Sequence, residues 1–138
     1  NVFLAKNKMN NESRFLKSSR DQMWEYFREH IDGVRLNGCL ERRLPGNLNF
    51  SFEGVDGASL IAALPDLAFS TGSACTSASE EGSHVLQAIG LSNKQAESTI
   101  RIGLGRFTTS EDIQVACDRI ASEVIKLRDK PTHYIAAQ

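Results

Sequence analysis

The sequence predicts an α+β domain: a small antiparallel or mixed sheet with helices packed on one side. Three observations carry that expectation. Asn47-Leu48-Asn49-Phe50-Ser51-Phe52 alternates strictly between polar and apolar residues, the period of a half-buried strand. Residues 1 to 31 contain neither proline nor glycine and set Phe15, Leu16, Trp24, Phe27 and Ile31 at helix-compatible separations. Ile113, Cys117, Ile120, Val124 and Leu127 recur at helical intervals behind Thr109-Ser110-Glu111-Asp112, which has capping-box spacing. Strands fall between helices without the tight strand–helix alternation of a doubly wound sheet.

Taken in order, a long amphipathic helix fills residues 1 to 31 and Gly33 ends it. Val34-Arg35-Leu36-Asn37 is a short strand closed by Gly38, and the alternating strand at 47–52 puts Leu48, Phe50 and Phe52 on one face. Gly54-Val55-Asp56-Gly57 is a turn, and Ala58 to Leu64 is a short helix stopped by Pro65. Leu67-Ala68-Phe69 is the last ordered piece before a run of small residues at 70–79, which reads as a mobile loop. Glu80 to Ile89 is a helix closed by Gly90, and its acidic residues suit the positive end of the dipole. Ser92 to Glu97 is compatible with another short helix, Thr99 to Leu104 with a strand, and 110–128 with the last helix.

Composition bounds the function. A chain of 138 residues suits one domain that buries roughly two-thirds of its unfolded surface. The formal net charge of -1 supplies no basic field, so nucleic acid is not the expected partner. No apolar run approaches the roughly 20 residues of a membrane helix, and no signal segment opens the chain. Three widely spaced cysteines do not make a disulfide framework, which points to free thiols in a reducing cytoplasm. Opening at Asn1 within helix-like sequence, the chain reads as a piece of something longer.

The residue that calls for a chemical reason is Cys75, set in Phe69-Ser70-Thr71-Gly72-Ser73-Ala74-Cys75-Thr76-Ser77-Ala78-Ser79. A thiol meant for packing sits in an apolar periodic run; this one sits among residues that bury little. It reads as an accessible nucleophile, the competing view being a small-residue turn with an incidental thiol. Cys117, on the apolar face of the last helix, and Cys39, beside Gly38, read as small packing residues. His30, His84 and His133 are scattered and no cysteine pair has zinc spacing, so no metal site is expected. His84 could act as a base toward Cys75 in a stand-alone cysteine hydrolase, a poorer reading. Arg101 and Arg106 flank Gly103-Leu104-Gly105, where an arginine can either clamp a carboxylate or lie idle at the surface.

Two motifs together carry a resemblance. Ser70-Thr71-Gly72-Ser73-Ala74-Cys75-Thr76-Ser77-Ala78-Ser79, followed by Ser98-Thr99-Ile100-Arg101-Ile102-Gly103-Leu104-Gly105-Arg106-Phe107-Thr108-Thr109, resembles the C-terminal region of the NifS/IscS-type cysteine desulfurases. Leu36-Asn37-Gly38, residues 47–52 and Gly57 to Leu64 extend the likeness, which covers roughly residues 12 to 128. The resemblance implies the small C-terminal domain of a fold-type I pyridoxal-phosphate enzyme, homodimeric in its parent form. Such enzymes convert L-cysteine to L-alanine and pass the sulfur to acceptor or iron–sulfur scaffold proteins. By motif, Cys75 matches the loop cysteine that takes the sulfur, and Arg101 the arginine that holds the substrate carboxylate.

The family's cofactor lysine follows a histidine, and no His-Lys pair occurs here. The resemblance therefore implies that the cofactor-bearing large domain is missing and that this chain alone is inactive and binds no pyridoxal phosphate. Glu81-Gly82-Ser83 carries glycine where many members have proline, and Pro131 to Gln138 does not resemble the longer tail of some members. A non-enzymatic docking or sulfur-relay domain, working with a separate cofactor-bearing chain, is the alternative.

Overall fold

Phe27, Phe50 and Phe52 meet at the centre of the domain, each wholly buried. The structure is a computed structural model that describes residues 2–71, 88 and 90–130. Helix α1, Val2–His30, supplies Met23, Phe27 and, just past its end, Ile31 to the core. From Ala5 to Ser18 it is exposed apart from the half-buried Glu12 and Leu16. Arg28 and His30 lie in its last turn, where the helix dipole favours positive charge. The chain then reverses at Gly33, whose φ of 69° lies where a side chain would be strained.

Four strands form one sheet: β1 (Val34–Leu36), β2 (Asn47–Phe52), β3 (Phe69–Thr71) and β4 (Thr99–Gly103), in the order β1-β2-β4-β3. Every pairing is antiparallel, which resolves the antiparallel-or-mixed expectation. Leu48, Phe50 and Phe52 face inward from β2, and Ile100 and Ile102 from β4. Trp24 stacks on Phe50 at 5.9 Å, and Phe27 meets Phe50 edge-on at 5.1 Å. Burying each such aromatic side chain stabilises the fold by roughly 2–3 kcal/mol.

Helix α2, Gly57–Ala63, joins β2 to β3; the Asp56 side chain accepts from Ser59 N–H at its start. Gly57 is required by packing, since a Cβ there would fall 2.9 Å from the Thr99 carbonyl oxygen. Helix α3, Asn93–Glu97, opens on a reciprocal cap between Ser92 and Gln95 and lies against the Ser51–Thr99 end of the sheet's second face. Helix α4, Ser110–Asp129, opens on the Thr109–Asp112 capping box and buries Ile113, Cys117, Ile120, Ala121 and Val124 beside α1.

Most elements match their sequence signals closely, and three points differ. Helix α3 lies on the polar face, opposite the long helices, where all helices are expected on one side, because the Gln95 carbonyl accepts from Thr99 Oγ1 there. Ser70 and Thr71, expected in the loop, extend β3 because pairing with Arg101 and Ile100 outweighs their turn-prone composition. Cys39, expected as a packing residue, is exposed: Gly38, with φ 79°, turns the chain off the sheet just before it. The expected loop from Gly72 to Ser79 lies outside the described residues, as does the helix from Glu80 to Ile89 except for Ala88.

Candidate functional site

Strand alternation decides where Arg101 points. Ile100 and Ile102 enter the core, so Arg101 between them stands on the opposite face, exposed. That face is polar across the whole sheet. Asn49 and Ser70 are the direct register partners of Arg101 on its two sides, and Asn37 N–H donates to the Asn49 carbonyl. Asn37, Asn49, Arg101 and Ser70 therefore form one row over four strands.

The row is tied together by side chains. Asn37 Nδ2 donates to Asn49 Oδ1 and to Ser51 Oγ, both at 2.8 Å. Thr99 Oγ1 donates to the Gln95 carbonyl at 2.8 Å, so its single proton is spent and Ser51 Oγ donates to it, also at 2.8 Å. Asn37, Ser51 and Thr99 are buried, and no buried side-chain nitrogen or oxygen among the described residues lacks a partner. A satisfied buried network of this kind rigidifies the strands that carry it. Arg101 lies at its exposed edge, where Nη2 donates to Ser70 Oγ at 3.3 Å.

Cys75 and His84 lie outside the described residues, so Arg101 is the one expected site residue with a described position. Arg106 does not join it. Its guanidinium lies 3.4 Å from the Glu12 carboxylate of α1, on the helix side of the sheet. The alternation Ile100-Arg101-Ile102 sets Arg101 outward, whereas Arg106 lies past the end of β4, in the turn before α4. The row partners Asn37, Asn49 and Ser70 went unnoticed because only cross-strand register brings them together.

The described thiols differ in kind. Cys117 is buried, and desolvation pushes its thiol up to about 12, the unreactive form at neutral pH. Cys39 is exposed. A cavity of about 600 Å³ opens on the helix side, lined in part by Phe69, Phe107, Val115 and the Asp66–Arg119 ion pair, and Arg101 does not line it. Arg119 hydrogen-bonds both oxygens of Asp66 and holds that carboxyl below its usual range. Among the described residues no group of three or more His, Cys, Asp or Glu could hold a metal ion, and no helix is long and apolar enough to cross a membrane.

Pyridoxal phosphate, the cofactor that the resemblance implies, does not fit the residues present. Its Schiff base needs a lysine amine inside a cleft. Lys6, Lys8, Lys17, Lys94, Lys126 and Lys130 are all exposed, on helices or just past one; none lines the cavity beside Phe107, and Lys126, which borders a second hollow with Asp118 and Glu123, is itself exposed.

The family model described as aminotransferase class-V matches residues 3–115. Among curated relatives, the cysteine desulfurase IscS of Aeromonas salmonicida (strain A449) is 49% identical over 126 residues, which are 91% of this chain and 31% of that protein. The IscS of Edwardsiella ictaluri (strain 93-146) is 48% identical over the same shares. This chain thus spans about a third of the length of the relatives it matches. Two solved structures share the fold: a NifS-like protein with TM-score 0.73 at 22% identity, and the NifS-like protein from Rickettsia africae ESF-5 with TM-score 0.71 at 19%. Each covers 89% of this chain, which corresponds to 31% of the solved chain. With the match running through the polar row and its arginine, the chain belongs to the aminotransferase class-V family.

Proposed function

We propose that this chain is the C-terminal domain of a cysteine desulfurase, carrying the sulfur-accepting Cys75 and the substrate arginine Arg101. The observation that carries the reading is the register of Ser70 with Arg101. It sets the carboxylate-binding side chain beside the strand that leads into the Cys75 sequence. Thr71 precedes Cys75 by four residues, a span of at most about 14 Å. One small region can therefore hold the substrate by its carboxylate and reach its sulfur.

The balanced step is simple. The Cys75 thiolate takes the sulfur of L-cysteine: an S–S bond forms, the substrate C–S bond breaks, and its electron pair goes to the carbon fragment. That fragment takes up a proton to become L-alanine, and Cys75 is left as a persulfide. Arg101's planar fork can grip the carboxylate through two parallel N–H donors, which a lysine could not do. Pyridoxal phosphate supplies the electron-withdrawing chemistry when bound; the residues that hold it belong to the rest of the enzyme. Homodimer formation, a cytoplasmic location and delivery of sulfur to acceptor or iron–sulfur scaffold proteins complete the reading; the curated relatives are named as cysteine desulfurases.

The test is Cys75→Ala in the whole cofactor-loaded enzyme. Persulfide transfer to an acceptor thiol is expected to vanish while the bound cofactor's visible absorbance persists. Transfer at the wild-type rate would remove Cys75 from the mechanism.

A further inference from the structure

We propose that Ser70 is a positioning residue for Arg101, fixing the guanidinium before substrate arrives. The inference rests on the reading of Arg101 as the carboxylate grip. An exposed arginine has several rotatable bonds, and ordering it on binding costs side-chain entropy.

The sheet supplies a means to reduce that cost. Ser70 stands directly across the β3–β4 ladder from Arg101, on the same face, and its Oγ accepts from Nη2 at 3.3 Å. The neighbour on the other side, Asn49, already has its Oδ1 engaged by Asn37 Nδ2. Ser70 is thus the side-chain acceptor that the described residues give Arg101. One Nη2–H held there fixes the plane of the fork, and the remaining N–H groups stay available to a carboxylate. Ser70 is half-buried at a paired strand position, so its hydroxyl is itself well anchored. It also heads the sequence that runs to Cys75, which keeps the grip and the nucleophile's strand in one register.

The effect is on binding rather than on bond breaking, so it belongs in KM. The experiment compares Ser70→Thr with Ser70→Val in the whole cofactor-loaded enzyme, with Arg101→Ala alongside. Threonine and valine are both β-branched and nearly equal in shape, so only the hydroxyl differs. Ser70→Val is expected to raise KM for L-cysteine about 3- to 10-fold with kcat little changed, the loss of one hydrogen bond. Ser70→Thr is expected to restore KM to within about twofold of wild type, because it keeps the acceptor. Equal KM in the valine and threonine variants, whether both normal or both raised, overturns the role of the hydroxyl. If Arg101→Ala raises KM while that equality holds, the desulfurase reading stands and the Ser70 inference alone falls. An unchanged KM in Arg101→Ala overturns both.

Discussion

Tyr26 on α1 donates its hydroxyl to Asp118 on α4 over 2.5 Å, joining the first and last described helices outside the core. The bond to the Asp118 carboxylate, helped by partial burial, holds the phenol neutral and raises it from 10.0 to about 12. A raised acid stabilises the fold while it stays protonated. The contribution is therefore complete below pH 10 and is lost as pH climbs through about 12. Thermal unfolding followed from pH 9 upward (~1-unit steps) is expected to fall more steeply in wild type than in Tyr26→Phe. Parallel curves would mean that the pair contributes nothing.

Cys39 and Cys117 are expected to respond oppositely to an alkylating reagent. Cys39 is exposed, whereas Cys117 is buried and its thiol is pushed up to about 12. At mildly alkaline pH, peptide mass analysis is expected to find Cys39 modified and Cys117 intact until denaturant is added. Rapid native labelling of Cys117 would contradict the packing of α4.

Phe50 is the aromatic centre, touching Trp24, Phe27 and Phe52. Replacing it by alanine is expected to cost about 3–5 kcal/mol, part transfer and part cavity. In urea the midpoint is expected to drop with the slope unchanged. A loss under about 1 kcal/mol would mean that the sheet face is packed by other residues.

The cap of α4 offers a finer probe. Thr109 Oγ1 and N–H both donate to the Asp112 carboxylate and hold it below its ordinary range. Such a depressed carboxyl stabilises above its unfolded value, and the effect fades as pH falls through the folded one. Thr109→Ala is expected to cost about 1 kcal/mol near neutrality and to move the Asp112 titration back upward. Nuclear magnetic resonance titration of Asp112 reads this directly, and an unmoved titration would remove the hydroxyl from the cap.

Local signals made much of this fold legible. The alternation of Leu48, Phe50 and Phe52, the unbroken helix run before Gly33 and the Thr109–Asp112 spacing each act within a few residues, and each element formed where its signal lay. What was not legible depends on partners far along the chain. Ser70 and Thr71 look like loop until β4 pairs with them, and the strand reading of Asn37 does not show that Ser51 and Asn49 accept its side-chain amide. The outward position of Arg101 is legible in the alternation Ile100-Arg101-Ile102, whereas Arg106, in the turn past β4, is placed by its distant partner Glu12.

The desulfurase reading is tested most directly by weighing the peptide that carries Cys75 after the whole enzyme has turned over L-cysteine. The expected result is a peptide heavier by one sulfur atom, with the extra mass removed by a reducing thiol. Absence of the added sulfur on Cys75, or its appearance on Cys39 instead, would contradict the assignment of Cys75 as the sulfur acceptor.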